Sequence, residues 1–284
     1  RSNASSEPEF ERTWALLVGE EGRGVATIIE MVNVTRLECI IASASLMRQA
    51  LAQAMHHATY RQAFGKRLLD QPLMQNVLAD LALESEAAAL FAMRLARACD
   101  QAETSEHENL LKRLGVAVGK YWITRRCPVF TAEALECLGG NGYVEESIMP
   151  RLYREAPLCS IWEGSGNINA LDVLRALTKD TRMLDCFFQE VLPASKSDTR
   201  LAAAVARLQH DLADPDGQEW RARDLVERMA LALQGALLVQ HAPTADADAF
   251  CATRLAGDWG KAFGTMPRGV NATAIIERAR PKLS

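Results

Sequence analysis

Seven cysteines (39, 99, 127, 137, 159, 186 and 251) form no CxxC pair, and their number is odd. Scattered through apolar, helix-like sequence, they exclude a disulfide framework and read as reduced core thiols of a cytoplasmic protein. Histidine is scarce. The five residues offer one adjacent pair, His56-His57, and neighbours on a helix point in different directions, so no metal site is expected. No apolar run is long enough to span a bilayer and no secretory pattern is seen, so no membrane partner is expected. A net charge of −4 excludes generic polyanion binding by the chain as a whole.

What remains is a chain of 284 residues, 49% hydrophobic, enough for one large or two modest domains. Ile28, Met31, Val32, Leu37, Ile40 and Ile41 recur at three- and four-residue spacing, and the pattern runs on from Met47 to Met55. It predicts a long helix from about Val25, ended by a loop at Tyr60-Arg-Gln-Ala-Phe-Gly65. A second helix is expected from Pro72, a residue suited to a first turn, to about Asp100. A third should cover Asn109 to Glu136, and a fourth should follow Gly164. Ahead of them, Phe10 to Val18 reads as a short strand before the turn Gly19-Glu-Glu-Gly-Arg-Gly24. Shorter helices should follow Thr178, broken at Pro193, at Asp214-Pro-Asp-Gly217 and at Ala242-Pro.

Two runs interrupt this helical pattern, Leu138-Gly-Gly-Asn-Gly-Tyr143 and Ile161-Trp-Glu-Gly-Ser-Gly-Asn-Ile168. A helical glycine costs roughly 1 kcal/mol relative to alanine. Five of them within 28 residues therefore point to backbone that turns tightly or approaches a ligand. Glu163 lies between an indole and bare backbone, a setting that can shield a carboxylate for use as a base. Either run alone is equally explained by a helix C-cap with a surface acid. The pair together favours a site.

The chain also carries Thr35-Arg36 and Arg61-Gln-Ala-Phe-Gly-Lys66 ahead of these runs. In this order the motifs resemble the C-terminal half of acyl-CoA dehydrogenases, in step from about Trp14 to Leu177. Glu136-Cys-Leu-Gly-Gly-Asn-Gly-Tyr-Val-Glu-Glu146, Pro150-Arg-Leu-Tyr-Arg-Glu-Ala-Pro157 and Ser160-Ile-Trp-Glu-Gly-Ser-Gly-Asn-Ile168 are similar to the AidB-like branch. That branch is FAD-containing, belongs to the alkylation stress response and is associated with DNA binding. The resemblance implies an all-α fold in three parts. Residues 1–24 would be a remnant of the family's middle β-domain, 25–178 its C-terminal four-helix bundle, and 179–284 an added helical subdomain.

The resemblance also assigns roles. Glu163 matches the catalytic glutamate that removes the α-proton of an acyl-CoA thioester while hydride leaves the β-carbon for flavin N5. Thr35 stands at the alternative base position of some members and cannot serve. Arg36 matches an arginine near the acyl-CoA site, and Trp162 replaces a usual tyrosine, making the acyl pocket bulkier. Arg61 and Phe64 match a loop that clamps the FAD of a neighbouring subunit, which implies a homotetramer. Gly139 and Gly140 match backbone beside the cofactor pyrophosphate and adenosine. Glu136 takes the place of a common glutamine there, as Pro72 does of another. Ser165 and Asn167 match polar contacts to the cofactor, with helix capping as the competing role. With the middle β-domain outside this sequence, the fragment alone is expected to lose most flavin affinity and activity.

The last stretch carries Arg254, Lys261, Arg268, Arg278, Arg280 and Lys282 against Asp258 and Glu277, a local excess of four positive charges. Such a patch can hold duplex DNA by its phosphates without reading bases, or be a solvated basic end. Trp259 and Phe263 among them suit core packing better than base stacking.

Overall fold

The computed structural model describes residues 6–281. Three long helices set the frame: α1 (Gly24–Tyr60), α2 (Pro72–Gln101) and α3 (Glu106–Glu136). Short connections make each antiparallel to the last. The ends of α1 and α3 and the start of α2 therefore share one end of the bundle. α3 begins three residues earlier than its apolar pattern suggests because Ser105 caps it, accepting from Glu108 N at 3.3 Å. Three short helices follow, α4 (Gly140–Tyr143), α5 (Met149–Glu155) and α6 (Leu158–Ile161). The fourth bundle helix is α7 (Gly166–Lys179), packed on α3.

Beyond it come α8 (Arg182–Ser195), α9 (Thr199–Ala213), α10 (Gln218–His241), α11 (Thr244–Phe250), a π turn (Cys251–Leu255) and α12 (Ala272–Ala279). Pro193 lies inside α8 rather than ending it, two residues before the helix stops. α10 packs on α2, α3 and α7, and α12 on α2. One apolar core runs without a break from Leu37 through Phe91 and Phe130 to Phe250 and Ile276. Each fully buried Leu or Phe in it contributes roughly 1.5–3 kcal/mol.

The expected strand over 10–18 does not form. Trp14, Leu16 and Leu17 are exposed, and a strand needs a ladder partner that the described residues do not supply. The strands among the described residues lie elsewhere, in the predicted loop after α1. There β1 (Gln62–Ala63) and β2 (Lys66–Arg67) pair as a small antiparallel hairpin. No helix of the described residues is long and apolar enough to cross a membrane.

Candidate functional site

The loop between α6 and α7 carries Glu163, and buried cations hold it by its backbone. Lys120, from the middle of α3 and almost wholly buried, donates from Nζ to Trp162 O and to Gly164 O, both at 2.7 Å. Arg36 Nε donates to Glu163 O at 3.1 Å. Asn169 Nδ2 reaches Gly164 O at 2.6 Å and Ser165 O at 3.0 Å. The carbonyls of residues 162 to 165 are thus all held by side chains from α1, α3 and α7.

That grip sustains an unusual backbone. Glu163 has φ +56° and Gly164 φ +94°. A left-handed conformation is routine for glycine and costly for glutamate, so the surrounding bonds must over-determine it. The carboxylate itself forms no hydrogen bond or ion pair among the described residues and is half-buried beside Trp162, which is 40% exposed. A free carboxylate on a rigid turn suits a base.

Arg36, expected near the acyl-CoA site, touches the backbone of the Glu163 loop. It is 8% exposed, with its guanidinium spent on Glu163 O and on Asp172, 2.8 Å away. Arg113 grips the same carboxylate at 2.8 Å. Burial pushes the Asp172 carboxyl up, but Arg113 and Arg36 more than offset this and hold it below its usual range. Lys120 escaped the sequence reading because it sits in the apolar run Gly115-Val-Ala-Val-Gly-Lys120, where periodicity marks a face and not a charge. Cys159, just before the loop, shares a hydrogen bond with Cys39 on α1, which pushes the Cys159 thiol down and the Cys39 thiol up.

The hairpin and the glycine run at 138–143 lie far from this loop. Arg36 and Tyr60 are on one helix, and at 1.5 Å per residue about 36 Å separates them along its axis. Just past Tyr60, the hairpin turn displays Phe64, 97% exposed, with φ +53°, and Gly65 with φ +76°. A two-residue turn with both φ positive is type I′, which favours Asn or Gly where Phe64 stands. Arg61 is exposed there without an ion-pair partner among the described residues. The exposed Glu136, last residue of α3, and Gly139 and Gly140 just past it lie at the same end. A Cβ on either of those glycines would meet nothing within 4 Å, leaving open backbone. Gly142 differs, because its Cβ would stand 2.2 Å from Leu135 O. A cleft of about 860 Å³ opens beside it, lined by Tyr143, Tyr153 and Arg154.

Ser165 and Asn167 are exposed at the start of α7, and the Ser165 hydroxyl makes no capping bond. Capping therefore does not occupy it. The basic C-terminal stretch is less available than its sequence suggests. Arg254 is buried, pairing with Asp80 at 2.5 Å and Glu84 at 3.0 Å, so it cannot meet a phosphate. Arg278 pairs with Glu86, and Arg280 with Glu277 at 3.4 Å. Lys261 and Arg268 stay exposed without such partners, and Lys282 lies outside the described residues.

Residues 22–178 match the family model described as "Acyl-CoA dehydrogenase, C-terminal domain". The chain belongs to the acyl-CoA dehydrogenase family. Within that family it is 42% identical to the AidB protein of Escherichia coli (strain K12) over 255 residues, 90% of this chain and 47% of AidB. It is 31% identical to acyl-CoA dehydrogenase family member 11 of Caenorhabditis elegans, covering 79% of this chain and 40% of that protein. The solved structure of C. elegans ACDH-11 in complex with C11-CoA superposes with a TM-score of 0.77 at 29% identity, over 82% of this chain and 44% of that one. The chain spans about half the length of the relatives it matches. Both Glu163 and the hairpin lie inside the family match, and α8 to α12 lie beyond it.

Proposed function

We propose that this chain supplies the base and part of the flavin cradle of an FAD-dependent acyl-CoA dehydrogenase of the AidB-like kind, working in the cytoplasm on α,β-dehydrogenation of an acyl-CoA thioester. The observation that carries the reading is the free carboxylate of Glu163 on a turn whose carbonyls are held by Lys120, Arg36 and Asn169. Its oxygen accepts the α-proton, made acidic by the thioester carbonyl. Holding the backbone rather than the carboxylate keeps that oxygen aimed and free of a direct hydrogen bond, ready to take the proton. Trp162 walls one side and limits the acyl group. FAD, when bound, supplies the acceptor for the β-hydride.

The residues present fit that cofactor. Gly139 and Gly140 offer open backbone, Ser165 an uncommitted hydroxyl, Arg61 a guanidinium without a carboxylate, and Phe64 an exposed ring. The separation of about 36 Å along α1 sets Arg61 and Phe64 apart from Glu163 of the same chain. In this reading a second copy brings its hairpin to the first copy's site, which supports self-association, as the expected homotetramer requires. The test is an anaerobic visible titration of the full-length parent with a branched short-chain acyl-CoA. Bleaching of the flavin band is expected, and Glu163→Gln should abolish it while FAD stays bound. Unchanged bleaching in that variant would remove Glu163 as base. The alternative of a DNA-protective stress protein has less behind it, since Arg254 is buried and Arg278 and Arg280 are paired.

A further inference from the structure

Two thiols meet behind the Glu163 turn. Cys39 lies on α1 and Cys159 on α6, 3% and 5% exposed, and the Cys39 thiol donates to Cys159 Sγ. α6 packs on both α1 and α3, so the pair sits where three helices meet. Ser43, one turn after Cys39 on α1, is fully buried, and its otherwise unpartnered hydroxyl is turned to Cys159. From α3 comes Lys120, 1% exposed, whose ammonium reaches the carbonyls of Trp162 and Gly164 and no carboxylate among the described residues.

A buried ammonium without an ion pair is costly, and a nearby anion lowers that cost. Burial disfavours the charged form of Lys120, and the thiol pair opposes this more strongly than Glu163 does. Two thiols joined by one hydrogen bond ionise singly. The shared proton stays on Cys39, and Cys159 carries the charge between the Ser43 hydroxyl and the ammonium. Such a thiolate is a nucleophile that burial alone would have suppressed.

We propose that Cys39 and Cys159 form a dithiol site that a peroxide oxidises to a disulfide, tying α6 to α1 directly behind the base. The Cys159 thiolate attacks one oxygen of hydrogen peroxide, the O–O bond breaks and hydroxide leaves, giving a sulfenic acid. Cys39 then attacks that sulfur, the S–S bond forms, and the oxygen leaves with the Cys39 proton as water. The hydroxide takes up the proton that Cys159 had lost, so two thiols give up two electrons and the peroxide becomes two waters. In reducing surroundings such a bond senses oxidant and does not hold the fold. α6 runs straight into the turn at 162–165, so the bond changes the footing of Glu163. That control of the base rests on the dehydrogenase reading above, whereas the thiol chemistry does not.

The test is peptide mapping of this chain by mass spectrometry, without reduction, after limiting hydrogen peroxide. A Cys39–Cys159 cross-link should appear and should be reversed by dithiothreitol. Exposure alone predicts another order, because Cys99 is the more exposed thiol. Cys137, at 6%, is as buried as Cys159, but burial pushes it up to about 12. Cys159 should nonetheless oxidise about tenfold faster than either. Cys39→Ser should stop at a Cys159 sulfenic acid that dimedone traps, with no cross-link. A chain that peroxide leaves reduced, or one that oxidises first at Cys99 or Cys137, overturns the proposal. In the full-length parent, peroxide should abolish flavin bleaching by acyl-CoA and dithiothreitol should restore it. A reduced parent that never bleaches removes the dehydrogenase reading and leaves the dithiol site to stand on the mapping. A cross-linked parent that bleaches as before removes the control of Glu163.

Discussion

Lys120 concentrates the energetics of the candidate site in one side chain. Lys120→Met removes both hydrogen bonds and leaves Trp162 O without a partner, while Gly164 O keeps Asn169 Nδ2. At about 1–3 kcal/mol for a buried polar group left unsatisfied, urea denaturation should find a loss of that order. A loss below half a kcal/mol would mean that water replaces the ammonium. The glycines of the 138–143 run give a paired prediction. Gly142→Ala drives a Cβ against Leu135 O and should lower stability by about 1–3 kcal/mol, whereas Gly140→Ala, with open space around it, should melt as the wild type does. Equal melting temperatures for the two variants would count against the packing argument. Glu163 and the glycine runs were readable in the sequence because each breaks a helical pattern, and a broken pattern shows without neighbours. Lys120, Asn169 and the bond from Arg36 to the Glu163 carbonyl were not, because burial among three helices is a property of the assembled bundle.

At the scale of elements, the hairpin after α1 sacrifices local stability for display. Phe64 holds a left-handed conformation with its ring in water, gaining neither burial nor a relaxed backbone within this chain. Phe64→Asn supplies a residue the turn favours, so the chain should keep or gain up to about 1 kcal/mol in thermal or urea unfolding. The full-length parent should instead show weaker self-association by sedimentation velocity and lose FAD more readily on dilution. A variant that destabilised the chain itself would show that Phe64 packs internally. The long helices were legible because apolar residues recur every three or four positions over thirty or more residues. A two-residue strand carries no such period, so the hairpin was hidden in what read as a loop. The converse error, a strand at 10–18, arose because a short apolar run and a following turn describe a segment's capacity to pair, while pairing needs a neighbour.

Across the whole molecule, a buried ionic knot ties the C-terminal residues to the bundle. Arg254 from the π turn meets Asp80 and Glu84 on α2, and Arg126 from α3 donates to Glu84 at 2.8 Å. Trp259 and Gly264 both donate to Asp80 Oδ2 at 2.9 Å, and Trp259 lies under the Arg254 guanidinium, 4.2 Å from it. Trp259 and Phe263 are therefore packing residues although their segment is not helical. Burial pushes the Glu84 carboxyl up, but Arg126 and Arg254 more than offset this and hold it at about 2, against 4.5 for the unperturbed group. A depressed carboxylate contributes stability that is fully present above its unfolded pKa and is lost as pH falls through the folded one. The window here runs from about 4.5 down to about 2, and the contribution is on the order of 3 kcal/mol. Glu84→Gln should therefore be less stable than the wild type at about pH 6, where its loss leaves Arg254 and Arg126 short of a partner. As pH falls through the window, the wild type loses what the variant never had, and the gap between them should close. Urea denaturation of both proteins at several pH values measures that gap directly. Parallel curves would mean that Glu84 is not ionised in the fold and that the knot is held by Asp80 alone. Because the partners come from α2, α3 and the π turn, acid should loosen the bundle and its C-terminal layer together, in one cooperative transition.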